Sequence, residues 1–247
     1  MNNIIFKNYN ISVTNGELVG IIGPNGSGKT KFLKKLIGRE PNSDIYLDSK
    51  CIMEYDLEYK KNNITCVLND NIFNTNKPKF ELRYYLNIIK NSEENERILK
   101  YFIDYFKLDD VLEKDLDILT VEDRMYIKIL SLLIVNPRIF CIDDILTYLN
   151  NEKKNRIINY IKENDITLFC VTSNMDELML FDKLLVINNY EKVLYDDTLI
   201  VLENEKVFNE LGLKLPFIYD INNLLKNYEL INETHLVSKE LVELLWK

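Results

Sequence analysis

Short apolar runs alternate with stretches of helical periodicity along most of this chain, the pattern of an α/β domain with a largely parallel sheet. The apolar runs predict strands at residues 4–6, 11–13, 18–22, 45–47, 64–68, 139–142, 168–171 and 184–187. From about residue 77 to about 134 the spacing turns helical. Phe80, Leu82, Tyr85, Leu86 and Ile89 form one stripe, and Ile98, Tyr101, Phe102, Tyr105 and Phe106 a second. Met125, Ile127, Ile129, Leu132 and Leu133 form a third. Stripes at this spacing read as core-facing sides of helices rather than as cofactor contacts. Beyond about residue 200 helical periodicity resumes, broken by Gly212 and Pro216, and no internal repeat or low-complexity linker is visible.

One junction in this pattern carries chemistry. Between the apolar run 18–22 and the helical face of Phe32, Leu33, Leu36 and Ile37 stand Gly23, Pro24, Asn25, Gly26, Ser27, Gly28, Lys29 and Thr30. This is the phosphate-loop pattern G-x-x-x-x-G-K-[ST] in its strand–loop–helix context. The glycines let consecutive backbone N–H groups curl around a phosphate, and the helix N-terminus adds partial positive charge. Lys29 would reach the outer phosphates and the Thr30 hydroxyl would ligate Mg²⁺. The chain therefore reads as one that binds a nucleoside triphosphate, or descends from one that did.

Composition narrows the setting. At 247 residues the chain is long for one domain and short for two, and with 47% hydrophobic residues it can bury a sizeable core. A net charge of −8 and the absence of a long Lys/Arg run disfavour nucleic acid. No apolar stretch approaches the ~20 residues that span a bilayer, and the N-terminal residues lack a signal-peptide pattern. Cys51, Cys66, Cys141 and Cys170 sit in or beside apolar runs without metal-ligand spacing, and read as small core residues in a reducing cytosol. The chain has no Ala and no Gln, and its single His is His235, so a mechanism built on a core histidine or glutamine is excluded.

A second acidic site follows the helical stretch. Residues 139–142 lead into Asp143 and Asp144, a strand ending in paired carboxylates. This suits a Walker B, in which Asp143 would hold Mg²⁺ and the next residue would orient the attacking water. Its place behind the helical insertion and Asn136-Pro137 resembles the ATP-binding cassette (ABC) ATPases. Leu119, Thr120, Val121, Glu122 and Asp123 stand where that family carries its LSGGQ signature. Asn69 stands at the Q-loop position, among the residues that family places around the metal, Leu149-Asn150 at the D-loop, and residues 45–50 at a small antiparallel β-subdomain. Residues 172–177 match the family's switch segment, with Ser173 in place of its histidine. Residues 211–216 and 236–242 resemble the C-terminal extension of energy-coupling factor (ECF) transporter ATPases; an amphipathic helical cap of general type is the other reading of this tail.

The resemblance implies an α/β P-loop NTPase core with a mostly parallel sheet, a small antiparallel subdomain, a helical insertion and a C-terminal helical extension. It divides the chain into an ATP-binding domain, 1–200, with an inserted helical subdomain at about 77–134, and an extension at 201–247 that is a candidate dimerisation element. It also implies ATP and Mg²⁺ as cofactors, a second ABC ATPase as hetero- or homodimer partner, and transmembrane scaffold subunits met near residues 69–79. The expected location is the cytoplasmic face of a membrane, held peripherally.

The departures weaken hydrolysis more than binding. Val121 and Glu122 replace signature glycines, and Glu122 and Asp123 bring carboxylates toward a charged phosphate. The same residues have capping-box spacing, Thr120-x-x-Asp123, and the favoured expectation is that this loop is mainly a helix start. Asp144 is one methylene shorter than the family's catalytic glutamate, and Ser173 offers no imidazole. The segment that would carry an adenine-stacking aromatic is short, leaving Phe6 and Tyr9 as candidates only if the loop is rebuilt. In a head-to-tail pair with an intact cassette, both sites would be half-defective; a homodimer would combine every defect. Two alternatives stand beside a transporter subunit: a non-transport ABC regulator using nucleotide occupancy as a switch, and a phosphate-loop kinase or GTPase. The last lacks an N-K-x-D guanine motif and leaves the ABC-ordered segments unexplained.

Overall fold

The computed structural model describes residues 3–41, 43–68, 73–89 and 94–231. Its first three strands are of two kinds. In β1 (Asn3–Phe6) and β2 (Ile11–Thr14) buried and exposed residues alternate, as in a sheet with one wet face. In β3 (Leu18–Ile22) every residue is buried, as in a strand covered on both faces. There follow α1 (Lys29–Leu36), β4 (Ile45–Leu47), β5 (Lys50–Cys51), α2 (Leu57–Asn63) and β6 (Ile64–Val67). The helical insertion holds α3 (Pro78–Ile89), α4 (Asn95–Phe106) and α5 (Val121–Leu133). Then come β7 (Ile139–Asp143), α6 (Asn151–Glu163), β8 (Thr167–Val171), β9 (Lys183–Asn188) and β10 (Glu191–Asp197). Helices α7 (Thr198–Leu202), α8 (Glu205–Glu210) and α9 (Phe217–Asn227) complete the described chain.

The strands form a six-stranded sheet in the order β10-β9-β3-β8-β7-β6, parallel except for the antiparallel edge strand β10. A second, antiparallel sheet runs β2-β1-β4-β5. This is the α/β P-loop fold expected from the sequence. Alternate residues of each central strand serve opposite cores. Val19, Ile21, Cys141, Phe169 and Leu185 face the antiparallel sheet and α1. Leu18, Ile22, Phe140, Leu168 and Leu184 face a larger core shared with the inserted helices and α6. Val201, Leu202, Phe208 and Tyr219 join that larger core, so α7–α9 dock on the α/β domain.

All eight predicted strands are present, within a residue or so of their expected ends. Two strands and two helices went unread: β5, β10, α2 and α6. The hairpin β4–β5 turns on Asp48 and Ser49, both left-handed at φ 51° and 68°. The helical stripes need two corrections, since Phe80 and Tyr101 point to solvent at 45% and 55% exposure. Their partners Leu82, Leu86, Phe102 and Phe106 are fully buried. The four cysteines are free thiols; Cys51, Cys141 and Cys170 are buried and Cys66 half-buried. Burial pushes the Cys141 and Cys170 thiols up, which keeps them protonated and inert. Among the described residues no helix is long and apolar enough to cross a membrane. Residues 236–242 and His235 lie outside the described residues.

One buried ion pair holds the segment after β8 in place. Lys154 on α6 lies 2.7 Å from Glu177, whose other oxygen accepts a 2.5 Å hydrogen bond from the Thr172 hydroxyl. Breaking such a pair strands a charge in the core, whereas replacing both members with apolar groups does not. Glu177→Gln should cost about 3–5 kcal/mol and Lys154→Met/Glu177→Leu far less. Chemical denaturation of the two variants checks this; equal costs would contradict it.

Candidate functional site

Strand β3 lies between β8 and β9, and its carboxyl end is where neighbouring connections diverge, the usual place for a ligand crevice in an open α/β sheet. The loop leaving it needs glycine by geometry. Gly23 has φ 155° and a Cβ there would come within 2.0 Å of the Ile187 carbonyl oxygen. Gly28 has φ 107° and caps α1, leaving the first helical N–H groups directed into the loop. Lys29 folds back over the loop, its Nζ donating to the carbonyls of Gly23 (2.7 Å) and Pro24 (2.9 Å). Burial pulls its pKa down, while Asp144 and Asp143 pull it up.

One carboxylate expected at this site, Asp143, meets the loop. The Thr30 hydroxyl donates to Asp143 at 3.2 Å, joining two of the three expected Mg²⁺ ligands across 113 positions of sequence. Burial pushes the Asp143 carboxyl up, Asp144 adds to that, and the Thr30 hydrogen bond opposes it. A bound divalent cation would supply the missing positive charge. Ser27 is 3% exposed and its hydroxyl has no hydrogen-bond partner among the described residues, an orphan that a phosphate oxygen would satisfy. These observations fit a Mg²⁺–nucleoside triphosphate. Asn69 lies outside the described residues.

Asp144 and Ser173 are brought together. Asp144 is left-handed at φ 56°, and its N–H donates to Val171 at 2.9 Å. One carboxylate oxygen, Oδ1, accepts from both the Ser173 N–H and the Ser173 hydroxyl, each at 2.8 Å. Half of this side chain's acceptor capacity is thus committed to Ser173.

Residues 119–123 form a helix start. Thr120 caps α5: its hydroxyl accepts from the Asp123 N–H at 3.1 Å and donates to the Asp123 carboxylate at 2.8 Å. Leu119 is buried in the larger core and Val121 is exposed. The two carboxylates are engaged within the chain. Lys153 of α6 holds Asp123 at 2.7 Å and Glu122 at 3.2 Å, and the Asn150 N–H donates to Glu122 at 3.2 Å. Burial opposes ionisation of Asp123, but hydrogen bonds from Lys153 and Thr120 outweigh it and hold its pKa below the ordinary value. Lys153 was not legible as part of this segment, since its partners lie some thirty positions away.

Phe6 and Tyr9 are also corrected. Phe6 stacks on Phe32 at 4.8 Å and Tyr9 meets the same ring edge-on at 5.1 Å, both inside the core and unable to face a base. The aromatic beside the loop is Tyr190, in the turn between β9 and β10, which sequence reasoning missed.

Fold and loop together define a P-loop nucleotide-binding domain. The sequence profile described as "ABC transporter" matches residues 6–147, more than half of the chain. The chain belongs to the ABC transporter family, among its ATP-binding subunits. It is 26% identical over 256 aligned positions to the energy-coupling factor transporter ATP-binding protein EcfA1 of Mesomycoplasma hyopneumoniae (strain 7448), covering 100% of this chain and 93% of that protein. EcfA1 of Staphylococcus aureus (strain USA300) is 24% identical, covering 89% of this chain and 85% of that one. Among solved structures, cbiO1 from Clostridium perfringens, part of the ABC transporter complex cbiONQ, shares the fold. Its TM-score is 0.72 at 19% identity, over 91% of this chain and 98% of that one. A nucleotide-free ATP-binding cassette gives 0.70 at 20%, over 87% and 100%.

The depressed Asp123 pKa has a defined sign. Its ion pair contributes stability above the unfolded carboxylate pKa and loses it as pH falls through the folded value. Lys153→Met should therefore destabilise at neutral pH, and the gap from wild type should close below about pH 4 in denaturation experiments. A gap that widens on acidification would contradict this. Thr120→Ala, which removes the cap, should cost about 1 kcal/mol in the same assay.

Proposed function

We propose that this chain binds ATP with Mg²⁺ and hydrolyses it slowly, as one ATPase subunit of an ECF-type importer on the cytoplasmic face of a membrane. The observation that carries the reading is a contrast within one site. The phosphate loop keeps every required residue, and Thr30 already touches Asp143. The hydrolytic position holds a short carboxylate tied by two hydrogen bonds to Ser173. Full-length similarity to EcfA1 proteins supports the transporter type.

In this reading the loop N–H groups and Lys29 bind the β- and γ-phosphates, and Lys29 exchanges its two loop carbonyls for phosphate oxygens. Thr30 and Asp143 hold the Mg²⁺, which when bound neutralises phosphate charge. Asp144 is the candidate general base and Ser173 its positioning residue. A base must reach its water within hydrogen-bond distance, and a shortfall near 1 Å can cost on the order of 100-fold. Ser173 holds Asp144 toward itself, which lengthens that shortfall.

Head-to-tail pairing would place the segment Leu119–Thr120–Val121–Glu122–Asp123 over the partner's nucleotide. With Glu122 and Asp123 bound by Lys153, it offers the partner a capped helix start, its Thr120 hydroxyl committed to Asp123, in place of glycine N–H groups. In a heterodimer with an intact cassette, docked on a membrane scaffold, each site is only half-defective, whereas a homodimer would combine every defect at both sites. The division at residues 200 and 201, with 201–247 as a dimerisation element, belongs to the same proposal. The second reading, a nucleotide-occupancy switch outside transport, draws on the same tethering of Asp144; stable co-purification with membrane subunits from detergent extracts separates the two.

The isolated chain should bind MgATP, and Lys29→Ala should weaken binding by an order of magnitude or more. Asp144→Glu with Ser173→His, in complex with an intact cassette, should raise turnover by an order of magnitude or more. Equilibrium titration with MgATP reads the first, and a phosphate-release assay the second. Ordinary ABC-type turnover by the wild-type chain alone, abolished by Lys29→Ala, would contradict the proposal.

A further inference from the structure

The turn joining β9 to β10 consists of two residues, Asn189 and Tyr190, flanked by the pair Asn188–Glu191. Both are left-handed, with φ 48° and 66°. This is the geometry of a type I′ hairpin, whose second central position ordinarily carries glycine. A tyrosine there is held in backbone that bulky residues rarely adopt. The surroundings hold it in place: its N–H donates to the Ser27 carbonyl at 2.8 Å, and its carbonyl accepts from the Tyr9 hydroxyl at 3.0 Å. The hairpin is thereby fastened to the phosphate loop itself.

The ring has a defined position. It packs on Gly28, whose added Cβ would fall 2.6 Å from the Tyr190 Cδ1, so the glycine's bareness is what admits it. Tyr190 is nevertheless 56% exposed, and the Lys31 ammonium lies 5.0 Å from its ring centroid. Together with Gly28, Lys29, Thr30 and Lys34 it lines a cleft of about 290 Å³, in which it is the one aromatic among the described residues. With phosphates in the loop, the adjoining cleft is the space left for a sugar and base. A flat, half-exposed ring at that edge, flanked by a cation, offers a stacking face that any nucleobase can use.

We infer that Tyr190 is the base-stacking residue of this nucleotide site, taking up from the β9–β10 turn a role that the buried Phe6 and Tyr9 cannot fill. The inference rests on the reading of residues 23–30 as a nucleotide site. The hairpin would then set base affinity, while the loop sets phosphate affinity.

Equilibrium titration with MgATP and with magnesium tripolyphosphate, which lacks a base, separates the two contributions. Tyr190→Asn removes the ring and keeps a residue that tolerates left-handed backbone. It should lose about 10-fold or more in ATP affinity, with tripolyphosphate affinity unchanged. Tyr190→Phe, which keeps the ring, should restore most of the ATP affinity. Unchanged ATP affinity in Tyr190→Asn, or equal weakening of both ligands, would overturn the inference while leaving the nucleotide site standing. A wild-type chain that binds neither ligand, or an ATP affinity indifferent to Lys29→Ala, would instead defeat the nucleotide reading itself and the inference with it. A measurement on the wild type keeps the test open if Tyr190→Asn fails to fold: 2-aminopurine riboside triphosphate should be quenched on binding. Binding without quenching would overturn the inference.

Discussion

The structure depends on the close approach between the phosphate loop and the end of β9. Gly23 leaves β3 with its backbone against the Ile187 carbonyl, where no side chain fits. That contact fixes where the loop can turn, and hence where Lys29 and Thr30 point. Residues on both sides of it are anchored by the same sheet. Asp143 reaches Thr30 because β7 and β3 both pair with β8, and Asp144 reaches Ser173 because β7 pairs with β8 directly. The double burial of the central strands is what keeps this spacing rigid.

Binding and hydrolysis separate within this frame. The groups that would hold phosphate and metal come from β3, α1 and the end of β7, all embedded in packed structure. The groups that would handle the attacking water come from the two residues that follow β7 and β8, where the chain leaves the sheet. There a short carboxylate and a short hydroxyl satisfy each other. The signature segment follows the same logic: its extra carboxylates are matched by Lys153 and the start of α6. Substitutions that look like losses in a list of motifs are locally consistent in three dimensions.

Much of this was legible because it is local. The all-apolar runs at 18–22 and 139–142 announced strands buried on both faces, and Thr120-x-x-Asp123 announced a capped helix. What could not be read depends on contacts distant in sequence or on edges. β10 is half-exposed and acid-rich at its end, so its pattern is weak, and the tyrosine in its turn hid a hairpin that Asn-Gly would have announced. Phe80 and Tyr101 fit their helical stripes by spacing but lie at the stripes' margins, where a helix faces water. The engagement of Glu122 and Asp123 by Lys153 needed the first turns of α5 and α6 brought together, which periodicity does not specify.

The proposal's central claim is that this chain binds MgATP and cleaves it slowly. The most direct measurement loads the purified chain, with its cassette partner, with MgATP, removes the excess, and follows the identity of the bound nucleotide by chromatography over time. The account predicts that bound nucleotide in this chain's loop remains ATP long after an ordinary cassette would hold ADP. Rapid conversion to ADP in this site, or no retained nucleotide at all, would contradict it.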